Sequence, residues 1–137
     1  MLLQNRVAIV SGIGPGMGRD ISLLFAREGC DLAISARTQA SLDSVAKEVR
    51  ALGRRVLTVP TDIARPGDCA NLVARAEAEL GRVDVLVNNA YHPGSYELFE
   101  NADLEKWRAP LETNVLGSLT LTQKVVPLMK RQGGGSI

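Results

Sequence analysis

Aromatic side chains are scarce: one Trp, two Tyr and two Phe amount to 4% of the 137 residues. A core must therefore be aliphatic, and a hydrophobic content of 45% suffices for one globular domain over residues 1–137. No charge of one sign prevails. Sixteen basic and fifteen acidic side chains leave a net charge of +1, without the Lys/Arg cluster that a nucleic-acid or anionic membrane surface requires. Neither partner is expected. Long hydrophobic runs are also missing, since the opening segment offers only Val7 to Val10 after Arg6, far short of a secretory or membrane-spanning stretch. Of the two cysteines, Cys30 and Cys69, neither sits in a CxxC pair, and buried free thiols in a reducing cytoplasm are expected. The single histidine, His92, has no Cys or carboxylate cluster beside it to suggest a metal and reads as a loop residue. No repeat period and no biased segment occur beyond Gly133-Gly134-Gly135.

What the sequence does have is alternation. Val7 to Val10 is a short β-branched run that reads as a buried strand. A helix follows from Arg19, with Ile21, Leu24 and Phe25 on its apolar face and Glu28-Gly29 as its stop. Leu32 to Ser35 is a second strand. Ser41 is the expected N-cap of a helix presenting Leu42, Val45, Ala46, Val49 and Leu52, closed by Gly53. Arg55 to Val59 is a third strand, and Pro66 opens a helix carrying Cys69, Leu72, Val73, Ala76 and Leu80 on one side. Val83 to Val87 is a fourth strand. Leu104 to Met129 is mostly helical, with Pro110 starting a second segment. Strand–helix alternation with short connections implies right-handed crossovers and a doubly wound parallel α/β sheet. Ligands bind such sheets beyond the carboxyl ends of the strands.

The residues after each strand carry the chemistry. Ser11-Gly12-Ile13-Gly14-Pro15-Gly16-Met17-Gly18 follows the first strand and runs into a helix. Its glycines allow a sharp turn, a close approach to a pyrophosphate, and helix amides aimed at it; a plain glycine-rich turn is the alternative. The strict GxGxxG spacing fails, because its last place is Met17, whereas Gly12, Gly16 and Gly18 fit GxxxGxG. After the second strand stands Ala36-Arg37-Thr38, with no carboxylate to hold ribose hydroxyls. Arg37 can pair with a 2′-phosphate, which predicts NADP(H) over NAD(H); alternatively it is a solvated loop arginine. Thr61-Asp62-Ile63 follows the third strand, and Asn88-Asn89-Ala90 the fourth.

These motifs, in this order from about Arg6 to Ile137, resemble the short-chain dehydrogenase/reductase family. The resemblance is carried by its TGxxxGxG loop (here with Ser11 in place of Thr), its post-strand Asp62, and its NNAG motif with Tyr91 replacing the glycine. Trp107, Asn114 and Gly117 share its helix spacing. It implies a Rossmann-type sheet of strand order 3-2-1-4, with further strands lying outside the chain. Ser11, Gly12, Gly14, Gly16, Met17, Gly18, Arg37, Thr38, Asp62, Ile63, Asn88, Asn89 and Ala90 would bind cofactor. Asp62 would accept from the adenine amino group, or else cap the turn before Pro66. The first asparagine, Asn88, would tie neighbouring strands together. Asn114 would hold a water in a proton relay, or else make only a buried hydrogen bond.

By the same resemblance the activity is hydride transfer between the nicotinamide and a carbonyl or alcohol substrate, in a homodimer or homotetramer. The family's Ser and YxxxK pair are not among these residues, so the expectation is the cofactor-binding part of a protein of ~250 residues, inactive alone. A strand is expected only to begin at Gly135-Ser136-Ile137; with the first four strands alone in the chain, the fourth is expected to be a bare apolar edge and the Leu111 to Met129 helix to lack a packing partner. A catalytically silent nucleotide-binding or interaction protein, or an epimerase or dehydratase of the same fold, stands as the alternative.

Overall fold

The computed structural model describes residues 1–137. Four parallel strands, β1 (Val7–Ser11), β2 (Asp31–Ala36), β3 (Val56–Pro60) and β4 (Val85–Val87), lie in the order β3-β2-β1-β4. Helices α1 (Met17–Arg27), α2 (Gln39–Ala51) and α3 (Pro66–Leu80) make the successive crossovers. The expected doubly wound α/β sheet is therefore present. In register, Ile9 lies opposite Ala33 and Leu86, and Ala33 opposite Leu57.

Successive side chains of a strand point to opposite faces. Ala8, Val10, Leu32 and Ile34 enter one layer with Leu23 of α1 and Leu42, Val45 and Val49 of α2. Ile9, Ala33 and Leu57 enter the other with Leu72 of α3 and Leu121, Val125 and Leu128 of a further helix, α5 (Ser118–Arg131). Cover on both faces explains why β1 is buried throughout and reads as a continuous apolar run. It also leaves the carboxyl ends of the strands as the open rim.

Several boundaries differ from the sequence expectation. α1 begins at Met17 with Gly16 as N-cap, not at Arg19. Its buried face is Gly18, Ser22, Leu23 and Ala26, while Leu24 is 55% exposed. Small residues let the helix sit close to the sheet, so they and not the bulkiest apolar residues define the inner stripe. α2 begins at Gln39 with Thr38 as N-cap; Ser41 lies inside its first turn, its hydroxyl 3.0 Å from Thr38 Oγ1. Leu52 is the exposed C-cap.

The fourth strand is shorter than expected: Val83 spends its N–H and its carbonyl on the Gln132 side chain, and the amide of Val7 is taken by the side chain of Asp84. Its buried carboxylate accepts from Val7 N at 2.9 Å, Arg6 Nη1 at 2.9 Å and Arg82 Nη2 at 2.7 Å. Burial alone would raise its pKa, but the hydrogen bonds from Arg82, Val7 and Arg6 outweigh that and hold it below the usual carboxylate range. Asp31 does the same at the start of β2, where burial is outweighed by bonds from Arg55 and Arg54. These two carboxylates fasten the amino ends of the strands, opposite the open rim.

Two further expectations are corrected. β4 is not a bare edge: Ser136 forms a parallel bridge to Val85, with Leu86 N donating to Ser136 O at 2.9 Å and Ser136 N to Asp84 O at 2.8 Å. Nor does the long helix lack a packing partner, since Leu121, Val125, Leu128 and Met129 are buried in one cluster with Leu72, Val73 and Ala76 of α3. The segment before it is composite. A 3₁₀ turn (Leu104–Trp107) leads into α4 (Arg108–Leu111), then a wide π turn (Glu112–Gly117), then α5. Pro110 falls in the first turn of α4, where its missing N–H leaves no helical bond unmade. The outward face carries exposed Trp107, Leu111, Val115 and Leu119.

Both cysteines are free and buried. Burial pushes the Cys30 thiol up to about 12 and also raises Cys69, so neither thiol is a nucleophile near neutral pH. No helix is long and apolar enough to cross a membrane.

Candidate functional site

Three loops meet beyond the carboxyl ends of β1, β3 and β4, and glycine decides how closely. Gly12, immediately after β1, has φ 75°. A Cβ there would lie 2.4 Å from Ala90 Cα, so the β1–α1 loop and the chain leaving β4 touch backbone to backbone. At Gly18 a Cβ would lie 2.6 Å from Gly12 O; its absence lets the first turn of α1 fold back on the same loop. Gly14 and Gly16 are different, because a Cβ on either would meet nothing within 4 Å. Open space therefore lies over the loop. With glycine as the N-cap, no side chain caps α1, and the first helical amides, beginning at Met17, have no intrahelical partner. That is the arrangement that binds an anion at a helix start.

The loop is held from below. Ser11 is fully buried; its hydroxyl donates to Val87 O at 3.2 Å and accepts from Asn89 N at 3.1 Å and Ala90 N at 3.2 Å. Asn89 Nδ2 donates to Ser11 O at 3.0 Å and Gly12 O at 2.9 Å. The tie between neighbouring strands is thus made by the second asparagine, not by Asn88 as the resemblance implied. Asn88 instead donates to Thr122 Oγ1 at 3.0 Å, toward α5. Asn89 N also bonds to Val87 O at 3.0 Å, so the chain turns at Asn88 and brings the second asparagine, not the first, against β1. Tyr91 brings no backbone strain, because its φ is not positive.

Asn114 sits in the π turn. Its Oδ1 accepts from His92 N at 2.8 Å and its Nδ2 donates to His92 O at 3.0 Å. Both polar ends of the side chain thereby clamp one residue of the β4 loop. His92 Nδ1 accepts from Gly94 N at 3.1 Å, which leaves Nε2 to carry the proton in the neutral ring.

Two connected cavities run along the rim. The first, of about 780 Å³, lies between Arg37 after β2, Asp62 and Ile63 after β3, and Asn89 and Ala90 after β4, with Glu112 and Thr113 along its helical wall. The second, of about 520 Å³, lies between Gly14, Gly16, Met17 and Gly18 on one side and Asn88, Asn114 and Ser118 on the other. Gly12, Asn89, Ala90 and Tyr91 line both. Most of the residues singled out in the sequence therefore share one cleft; Ser11, buried beneath it, and Thr38, beside it at the start of α2, line neither part. Each volume is of the size that takes a small ligand.

Arg37 is exposed and takes no part in any ion pair of the chain. Asp62 Oδ1 accepts from Ala64 N at 3.0 Å, a turn-capping bond, and the residue also lines the first cavity. The residues present fit a dinucleotide. The space over Gly14 and Gly16 and the uncapped start of α1 suit a diphosphate, and the unpaired Arg37 suits a further phosphate.

Residues the sequence reading passed over include Ser118 and the backbone of His92. Ser118 follows Asn114 by one helical turn, so its spacing could have found it. Nothing in the sequence signals the His92 clamp, which joins residues far apart in the chain.

Residues 6–137 match the short chain dehydrogenase family. The chain belongs to this family. The chain is 38% identical over 136 residues to an uncharacterized oxidoreductase of Mycobacterium tuberculosis, covering 98% of its own length and 51% of that protein. Among solved structures, a short-chain dehydrogenase/reductase from Burkholderia xenovorans superposes with a TM-score of 0.88 at 38% identity, over 97% of this chain and 52% of that one. A 7α-hydroxysteroid dehydrogenase complexed with NADH and 7-oxo glycochenodeoxycholic acid gives a TM-score of 0.90 at 31% identity, over 98% and 53%. The chain thus spans about half the length of these relatives, at 51%, 52% and 53%.

Proposed function

We propose that these residues form the cofactor site of an NADP(H)-dependent oxidoreductase acting on a carbonyl or alcohol substrate. The observation that carries the proposal is a pair of adjoining cavities with a shared wall, one lined by the uncapped helix start and the other by the unpaired Arg37. The nicotinamide group, when bound, supplies hydride transfer to or from the substrate carbon. The chain's own residues bind and orient. The Gly14–Gly18 backbone presents amides to the diphosphate. Arg37 pairs with a 2′-phosphate, and Asp62 and Ile63 border the adenine end. Ser11 and Asn89 fix the distance between the glycine loop and the β4 loop.

Asn114 is a positioning residue in this reading. With one bond from each side-chain group spent on His92, a relay water would use the second N–H of Nδ2, the second lone pair of Oδ1 or the main chain. Neither Tyr91 nor Tyr96 is followed by Lys four residues on, so the 137 residues alone bind the dinucleotide without turnover.

Calorimetry on the chain tests the proposal. NADPH should bind more tightly than NADH, and Arg37→Ala should weaken NADPH by about 1.5 to 3 kcal/mol while barely changing NADH, because a charge-assisted bond is lost from one ligand only. An unchanged ratio of the two affinities in the variant would show that Arg37 does not select the cofactor.

A further inference from the structure

Nothing in the site as derived so far uses Tyr91, the residue that stands where the family's loop has glycine. Its side chain is 69% exposed, yet it lines both cavities at the point where they join. Its mount is rigid on either side. Ala90 N is held by Ser11 Oγ at 3.2 Å, and the next residue, His92, is held through both its N–H and its carbonyl by Asn114 at 2.8 and 3.0 Å. An aromatic ring projecting from so constrained a backbone, with a solvated phenol group and only two side-chain torsions to fix, has much area to bury and little entropy to lose when a ligand arrives.

We propose that Tyr91 is a cofactor-contact residue particular to this chain, covering the stretch of the dinucleotide that passes from the first cavity into the second. This inference rests on the dinucleotide reading above. It assigns to Tyr91 a binding role that a glycine at this place cannot perform.

Tyr96 provides an internal control, being 88% exposed and lining neither cavity. N-acetylimidazole acetylates accessible phenols, and tandem mass spectrometry assigns the label to each tyrosine. Without ligand both should react. Saturating NADPH should protect Tyr91 and leave Tyr96 reactive, and adenosine 2′-monophosphate, which carries no part of the diphosphate and so occupies the first cavity alone, should protect Tyr91 less. Tyr91→Ala should weaken NADPH by about tenfold and Tyr91→Phe by less than about threefold, with thermal stability unchanged because the side chain is exposed. If calorimetry shows NADPH bound while Tyr91 labels as fast as without it, the inference is wrong and the dinucleotide site stands. Equal protection by the monophosphate would also overturn it, by confining Tyr91 to the adenosine end. If NADPH does not bind at all, the dinucleotide reading itself fails and this inference with it.

Discussion

Gly12→Ala should destabilise the chain by about 2 to 5 kcal/mol and abolish dinucleotide binding. Two costs add. A left-handed backbone at φ 75° costs a residue with a Cβ about 1 to 2 kcal/mol, and overpacking adds about 1 to 3 kcal/mol. The neighbours cannot step aside, for the new methyl would lie 2.4 Å from Ala90 Cα, 2.6 Å from Ala90 N and 2.9 Å from Asn89 C. All three are backbone atoms of the segment that Ser11 and Asn89 pin in place. Gly14→Ala is the matched comparison, since its Cβ meets nothing within 4 Å. There stability should stay within about 0.5 kcal/mol of the parent while NADPH weakens, because the methyl intrudes on the ligand's space alone. Urea unfolding of both variants measures this, and a Gly12→Ala midpoint equal to the parent's would contradict the packing described.

The second large effect separates two adjacent asparagines. Asn89→Ala removes the donor to Ser11 O and Gly12 O, leaving two carbonyls at the foot of the loop without their partner. A buried polar group left unsatisfied costs about 1 to 3 kcal/mol, and with partial access to water the pair should cost about 2 to 4 kcal/mol. Asn88→Ala removes one exposed bond to Thr122 and should cost less than about 1 kcal/mol. The same unfolding experiment ranks them. A larger loss at Asn88 would restore the assignment that the sequence motif suggested and refute the geometry found here.

That reversal shows where sequence reasoning stops. Strand and helix order followed from period and punctuation, because a sheet covered on both faces demands uninterrupted apolar strands and amphipathic helices. The glycine loop was legible for a similar reason, since only glycine permits its turn and its contact with Ala90. Side-chain direction was not. Whether Asn88 or Asn89 faces β1 depends on how the chain leaves the carboxyl end of β4, where Asn89 N turns back onto Val87 O, and nothing local records that. The face of α1 was misjudged because close packing there uses Gly18, Ser22 and Ala26 in preference to Leu24. The covering of β4 by Ser136, the packing of α5 on α3 and the grip of Asn114 on His92 all join residues distant in sequence. Arg37 is the converse case. The sequence already showed a cation and no carboxylate after β2, and the fold adds that this cation lines the cleft without an ion-pair partner.

The central claim is that a diphosphate sits on the amides between Gly12 and Gly18. Amide chemical shifts of the ¹⁵N-labelled chain during titration with NADPH test it most directly. The account predicts saturable shifts that are largest at Gly14, Gly16, Met17 and Gly18, with smaller ones at Arg37 and Ile63. Shifts that leave the glycine loop untouched while NADPH binds elsewhere would contradict it.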